Sequence, residues 1–224
     1  MLKLKQGVAL VAVGSVAFVA GRALPTWGAA AAAPPDKVTE KTKEMKERVK
    51  DGSPPTEQME KMAKMMEPGA DHRVMEPLIG RFEGSGKMWM EEGAEPMEFS
   101  GSVEREWILN GRFVHEKVTG EPMGPEQPAF EGLGVIGYNT VERRYETAWI
   151  ENMATYISTM NGTYDATKKV FTFTGEMLNP MTLKRTKQRT MLDVSDPDRE
   201  VMTGYATDTS GKEFKCFEGV FERK

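Results

Sequence analysis

Residues 107–114 have the sequence Trp-Ile-Leu-Asn-Gly-Arg-Phe-Val, and this stretch decides the fold class. Asn110-Gly111 lies between two apolar runs, and a type I′ turn needs positive φ at both central positions, which Asn and Gly adopt most readily. The aromatic and β-branched residues on either side favour an extended chain. The stretch therefore predicts a β-hairpin that joins two antiparallel strands.

The same kind of pattern recurs along the chain from about residue 71. Short runs rich in aromatic and β-branched residues return at intervals of roughly 10 to 14 residues, with turn residues between them. No long helical pattern interrupts these runs. Ten strands are predicted, near residues 81–90, 97–109, 112–120, 129–138, 143–151, 155–160, 169–177, 183–194, 199–207 and 213–222.

Successive hairpins without a crossover element predict an antiparallel meander. An open sheet of this size would expose two long edges, and closure into a barrel removes them. Glycines at strand positions, among them Gly84, Gly132 and Gly134, fit sharp bends in a barrel wall. The predicted fold class is therefore all-β, an antiparallel up-and-down barrel of about 8–10 strands.

The run Gly132-Leu133-Gly134-Val135-Ile136-Gly137 matches a bare G-x-G-x-x-G pattern. A phosphate loop needs a helix directly after such a run, because the helix N-terminus holds the phosphate. Tyr138-Asn139 ends the run as a strand ends, and no helical pattern follows. The run is predicted to be part of a strand.

Several short motifs carry a family resemblance. In the segment Met75 to Gly84, Phe82 takes the place of the tryptophan in the Gly-x-Trp motif of calycin-type barrels. The other motifs are Lys87 to Met90, Trp107 to Phe113, Phe130 to Gly132 with Gly137-Tyr138, Trp149 to Met153, Gly162 to Asp165, Thr174 to Met177 and Asn179 to Thr182. Over about residues 71–223 they resemble the bacterial domain-of-unknown-function family 1579. The resemblance implies a calycin-like, or lipocalin-like, barrel and no catalytic residue, because that family has no settled activity.

The first 33 residues have the pattern of a signal peptide. They contain no acid, carry bases only at Lys3, Lys5 and Arg22, and include an apolar run of fourteen residues over 7–20. A membrane span needs about 20 apolar residues, so this run favours cleavage within the alanines at 29–33. The alternative is an uncleaved membrane anchor. Both predict export to a bacterial periplasm or cell envelope, with membrane contact only through an uncleaved segment.

Residues 34–70 are predicted to form a charged helical tether before a barrel domain at 71–224. Apolar residues recur at helical spacing in two short segments, and Thr56 is placed to cap the second helix. Met59, Met62 and Met66 share one stripe of that helix. Packing against the domain or a partner is the favoured role of these methionines, and copper(I) binding through their thioethers is the alternative.

Charge and composition exclude several function classes. Without the three bases of the first segment, 27 bases remain against 34 acids, a net charge of about −7, which argues against a nucleic-acid partner. The single cysteine, Cys216, excludes a disulfide framework and a cysteine zinc site. Some calycin relatives bind haem through a histidine late in the barrel, but no histidine follows His115. No cofactor and no metal site is predicted, and the oligomeric state is left open.

Alternation along the strands proposes residues for a ligand site inside the barrel. Tyr145, Thr147, Trp149 and Glu151 share one face of a strand, an aromatic wall that ends in a carboxylate. Arg105 and Trp107 share a face of the second strand and could add a countercharge and a second aromatic ring. Plain core packing or a surface position is the alternative for each of them.

Three further positions are weighed in the same way. Glu176 lies on the opposite strand face from Phe171 and Phe173, so it enters the lumen only if the phenylalanines point outward, and the pattern favours phenylalanines inward. The basic alternation from Arg185 to Arg189 favours a solvated outer face. His115 has no Ser or Cys nucleophile motif to pair with, so a structural or exposed histidine is favoured over a catalytic one, and His115 is kept as a candidate ligand-binding residue.

These observations favour a non-enzymatic binding protein for a small apolar or amphiphilic molecule. The first alternative is an enzyme that uses an enclosed carboxylate, Glu151 or Glu176, with His115 or an arginine such as Arg105 as its partner. The second is an envelope interaction module that acts through its methionine-lined helices.

Overall fold

The computed structural model describes residues 56–122, 128–179, 183–208 and 210–224. The predicted signal peptide and the first predicted helix of the tether lie outside the described residues. The chain divides into two units, and the described residues 56–67 belong to one of them and residues from Pro68 onward to the other.

Helix α1, Glu57–Met65, begins directly after Thr56. The Thr56 hydroxyl accepts a hydrogen bond of 3.3 Å from the backbone N–H of Met59, which confirms the predicted N-cap. Met62 and Met66 are 53% and 50% exposed. Partner capture and copper binding by this segment both stay predictions.

The unit that begins at Pro68 opens with a short helix, α2 (Ala70–Arg73), and a 3₁₀ turn (Glu76–Leu78), and then consists of strands. The strands are β1 (Gly80–Met88), β2 (Met97–Ile108), β3 (Phe113–Gly120), β4 (Phe130–Asn139), β5 (Arg144–Glu151), β6 (Ser158–Asp165), β7 (Val170–Asn179), β8 (Lys184–Asp196), β9 (Arg199–Thr207) and β10 (Glu213–Arg223).

Each strand pairs antiparallel with the next one along the chain, and β1 pairs with β10 to close the barrel. The prediction of an all-β, up-and-down antiparallel barrel is therefore confirmed. Closure leaves no free sheet edge among the ten described strands, which is the physical advantage that the sequence pattern suggested. The predicted and observed strands agree within three residues at nearly every end.

The β2–β3 connection has the predicted register but a wider turn than expected. Ile108 pairs with Phe113, so four residues form the loop, and the N–H of Arg112 bonds to the carbonyl of Ile108 at 3.3 Å. Leu109 has a φ of 50°, in addition to positive values at Asn110 and Gly111. A positive φ at Leu109 ends the extended chain one residue early, so the predicted two-residue type I′ turn is wrong.

Strand β6 differs most from its prediction at 155–160, because it starts at Ser158 and continues to Asp165. Its inward positions are Met160, Gly162 and Tyr164. A Cβ atom at Gly162 would lie 2.4 Å from the Phe173 ring, so that ring takes the place of an inward side chain here. Because Gly162 has no side chain, it interrupts the alternation of apolar and polar residues from which the other strands were predicted, and the predicted strand ended at residue 160.

One end of the barrel is filled. Met75 and Leu78, from the segment before β1, are fully buried and pack with Tyr145 and Phe171 in the main apolar cluster. The Tyr145 hydroxyl donates a hydrogen bond of 2.9 Å to the carbonyl of Asp71. This segment therefore closes the end of the barrel at which β4 ends and β5 begins.

Candidate functional site

The other half of the lumen contains a cavity of about 160 Å³. Its walls are mostly apolar, with rings from Phe99, Phe130, Trp149, Phe173 and Phe217. It extends to the strand ends at Gly120, Phe130 and Ser158. At this end the β5–β6 loop places Met153 against a cluster from β1 and β10, on the far side of the barrel. The loop therefore spans the mouth of the cavity.

Trp149 forms one wall of the cavity because two glycines of β4 leave room for its ring. A Cβ atom at Gly132 would lie 2.2 Å from the indole, and one at Gly134 would lie 3.0 Å from it. Phe130 stacks on the same indole, with ring centroids 6.4 Å apart. The glycines of β4 therefore form the surface on which the Trp149 ring packs. The run lies within strand β4, so the expectation that it belongs to a strand is confirmed.

Glu151 follows Trp149 on the inward face of β5. The indole Nε1 donates a hydrogen bond of 3.0 Å to Glu151 Oε2. Glu151 is 8% exposed, and its Oε1 atom has no hydrogen-bond partner among the described residues. Burial raises the pKa of Glu151 to about 7, and the bond from Trp149 offsets part of that rise. The predicted carboxylate is therefore enclosed and titrates near neutral pH.

Arg105 lies inside the barrel, in a buried cluster with two carboxylates. Its Nε donates to Glu116 at 2.5 Å, and its two terminal nitrogens donate to the two oxygens of Glu200, at 2.7 and 3.1 Å. Burial alone would lower the pKa of Arg105, but the charges and hydrogen bonds of Glu200 and Glu116 raise the pKa above its ordinary value. Arg105 is thus held as a permanent cation that already has partners.

Glu116 brings this ion cluster to the cavity wall. It lies next to Arg105 on the neighbouring strand and is one of the residues that line the cavity. A Cβ atom at Gly134 would lie 3.1 Å from Glu116 Oε1, so this oxygen and the Trp149 indole come together over Gly134. Glu116 was not among the predicted site residues, although an acid that alternates with Val114 and Val118 was a visible signal. Glu200 was not predicted either, and no local pattern marks that residue.

Two of the predicted site residues are inward-facing but lie at the filled end of the barrel. Tyr145 is 4% exposed, and its ring packs in the main cluster. Trp107 packs against that same cluster, and its Nε1 donates a hydrogen bond of 2.9 Å to Glu76. Neither residue lines the cavity. The structure therefore separates them from Trp149 and Glu151.

Two others lie outside the lumen. His115 alternates with the inward residues Val114 and Glu116, and its nearest acid is Glu106 at 3.8 Å on the outer face of β2. Glu176 is exposed, while Phe171 and Phe173 point inward, as the pattern favoured. A lumen position for His115 or Glu176 is therefore wrong. Lys187 of the basic alternation is likewise exposed on the outside.

Two kinds of feature are absent from the described ranges 56–122, 128–179, 183–208 and 210–224. Within them, no three or more His, Cys, Asp or Glu side chains are grouped so that they could hold a metal ion. No helix in that part of the chain is both long enough and apolar enough to cross a membrane.

Comparison with known proteins adds the family. The family model described as "Protein of unknown function (DUF1579)" matches residues 67–223. The chain belongs to the DUF1579 family. This DUF1579 barrel also resembles the crystal structure of Rv2717c from M. tuberculosis, with a TM-score of 0.51 and 15% sequence identity, over 70% of this chain and 99% of that chain. The likeness to Rv2717c concerns the fold alone. The comparison with curated proteins found no match.

Proposed function

We propose that this DUF1579 barrel binds a small apolar or amphiphilic molecule in its lumen. The observation that carries the proposal is the cavity of about 160 Å³ between Trp149, Phe99 and Phe217. Protein interiors are close-packed and contain few voids larger than a water molecule, so a space of this size inside the barrel is unusual and has room for a small molecule. An apolar wall with a few polar groups is the usual composition of a small-molecule site.

Protein purified from its own cell envelope and analysed by mass spectrometry under native conditions tests this proposal. We expect a bound small molecule in the unmutated chain. Val118 faces the cavity, so Val118→Phe should fill part of it and remove that molecule. Lys117→Phe adds the same ring on the outer face of the same strand and should leave the ligand in place. Equal ligand content in both variants, or none in the unmutated chain, would contradict the proposal.

General acid–base chemistry at Glu151 is the second candidate function, and the enclosed carboxyl with a pKa of about 7 favours it. Neither suggested partner is placed to assist, since His115 lies on the outer face and Arg105 is held by its two glutamates. A captured ligand that is recovered chemically changed from the unmutated chain, and unchanged from Glu151→Gln, would establish this function in place of simple binding.

We also propose that the protein acts in the bacterial periplasm or cell envelope, on the basis of the signal-peptide pattern in the first 33 residues. Sequencing the N-terminus of the protein from fractionated cells tests this. A mature N-terminus at residues 30–34 in the periplasmic fraction supports cleavage. The full-length chain in the cytoplasm would overturn export.

A further inference from the structure

We propose that the lumen selects apolar ligands that carry a protonated amine, and that it discriminates against carboxylates. The inference rests on the proposed function, because it assigns a ligand class to the same cavity. It comes from the charges of the cavity wall and of the ion cluster behind that wall.

The wall is mostly apolar, and its few charged groups are acids. Among the described residues that line the cavity, the ionisable ones are two acids, Glu116 and Glu121, and none is a Lys, Arg or His. Glu121 is exposed at the mouth, where its charge would attract a cation from solvent. A ligand carboxylate would enter against both charges.

Arg105 does not compensate for these acids. Three of its five guanidinium N–H groups donate to Glu116 or Glu200, and its fully buried side chain does not line the cavity, so a ligand carboxylate in the cavity does not reach Arg105. One cation against two carboxylates leaves the cluster with one net negative charge. A buried charge without a counterion is costly, and a bound cation near this cluster would lower that cost.

Two groups of the cavity wall, the Glu116 carboxylate and the Trp149 indole, could together bind an ammonium group. Glu116 uses Oε2 for Arg105, and its Oε1 makes no hydrogen bond within the described part of the chain. Glu116 and Trp149 both line the cavity, and both pack against Gly134. A carboxylate oxygen accepts an N–H bond, and the indole face attracts a cation.

The size of the cavity fixes the apolar part of the ligand. A dry engineered cavity of about 150 Å³ binds benzene, so the cavity of about 160 Å³ in this barrel suits one aromatic ring or a short alkyl chain. Benzylamine, benzyl alcohol, toluene and benzoate have nearly the same shape and differ in the group that would face Glu116.

Isothermal titration of the full-length chain at neutral pH with these four probes tests the inference. We expect benzylamine to bind at least tenfold more tightly than toluene and benzyl alcohol, and benzoate to bind most weakly. The ranking in the unmutated chain is the primary measurement, so it does not depend on the folding of any variant. Toluene, benzyl alcohol or benzoate binding as tightly as benzylamine would overturn the inference and leave lumen binding intact. If none of the four probes binds, the inference is overturned, and the native mass spectrum of the unmutated chain decides whether lumen binding fails as well.

Two variants test whether the preference for benzylamine comes from Glu116 in the cavity wall. Glu116→Gln removes the negative charge that would face the ammonium group. We expect this variant to lower the affinity for benzylamine at least tenfold, while the affinity for toluene changes less than threefold. Glu104→Gln is the matched control, because Glu104 lies on the outer face of β2 with its side chain 52% exposed. An equal loss of benzylamine affinity in both variants, or of both probes in Glu116→Gln, would overturn the assignment to Glu116.

Discussion

The indole N–H of Trp149 donates a 3.0 Å hydrogen bond to Glu151, two residues further along the inward face of β5. Side chains two residues apart in a strand share a face, so this bond is a direct product of strand periodicity. It fixes the ring that forms a cavity wall to a buried carboxyl group. The bond favours the charged form of Glu151, but burial outweighs it, and the pKa rises to about 7.

Replacement of Glu151 by Gln should remove a pH dependence of stability. In the folded chain Glu151 holds its proton up to about pH 7, while in the unfolded chain the carboxyl loses it near its ordinary pKa of 4.5. The folded state therefore binds more protons between these two values, and the unmutated chain should lose stability as the pH rises through that interval. The loss is on the order of 3 kcal/mol.

Urea unfolding of both chains at pH 5 and at pH 8 measures this effect. Glu151→Gln should be close to the unmutated chain at pH 5 and more stable at pH 8. Glu176→Gln, on the exposed outer face of β7, is the control and should follow the unmutated chain at both values. A stability difference between Glu151→Gln and the unmutated chain that is the same at pH 5 and pH 8 would show that burial of Glu151 has no linked proton.

The Trp149 ring packs so closely on Gly132 that even an alanine side chain does not fit at this position. A methyl group there would lie 2.2 Å from the ring, so Gly132→Ala must displace the indole or the strand. We expect a loss of about 1–3 kcal/mol in the free energy of unfolding, together with a change in tryptophan fluorescence. Leu133→Ala, at the neighbouring outward position that is 43% exposed, should cost less and leave the fluorescence unchanged. A larger loss of stability in Leu133→Ala than in Gly132→Ala would argue against close packing of the Trp149 ring on Gly132.

The buried ion cluster should be costly to break. Arg105→Met leaves Glu116 and Glu200 enclosed without a cation, and we expect a loss of about 3–5 kcal/mol. The triple change Arg105→Met, Glu116→Leu and Glu200→Leu removes all three charges and should recover much of that loss. Arg81→Met, in an exposed ion pair with Glu83, should have little effect in the same thermal melts. If the triple variant is no more stable than Arg105→Met, unpaired charge is not the cause of the loss.

The hydroxyl of Tyr145 should contribute to closure of the filled end. Tyr145→Phe removes its hydrogen bond to the backbone carbonyl of Asp71, at an expected cost of about 0.5–1.5 kcal/mol in the free energy of unfolding. Hydrogen exchange should become faster in residues 70–78. Tyr164→Phe, in the same aromatic cluster, is the control, since no described residue hydrogen-bonds its hydroxyl. Unchanged exchange in Tyr145→Phe would show that packing alone holds this segment.

Local patterns in the sequence determined the strands and the face on which each side chain lies. The period of two placed Trp149 with Glu151, Arg105 with Trp107, and Phe171 with Phe173, and the structure has all three pairs on inward faces. Two features of the local chain geometry escaped the pattern. Gly162 carries no side chain that could continue the alternation of β6, and the positive φ at Leu109 widens a turn that otherwise has the predicted register.

The chemistry of the lumen depends on contacts between strands that are distant in the chain, and only the tertiary structure decides these. Glu200 meets Arg105 although 95 residues separate them, because closure of the barrel brings β2 and β9 within reach across the lumen. The alternation along β5 also predicts that both Tyr145 and Trp149 face inward. It does not show that Tyr145 lies at the filled end of the barrel and Trp149 at the end with the cavity. Whether space remains at either end depends on the summed volumes of side chains from all ten strands, and no single segment of sequence contains that sum.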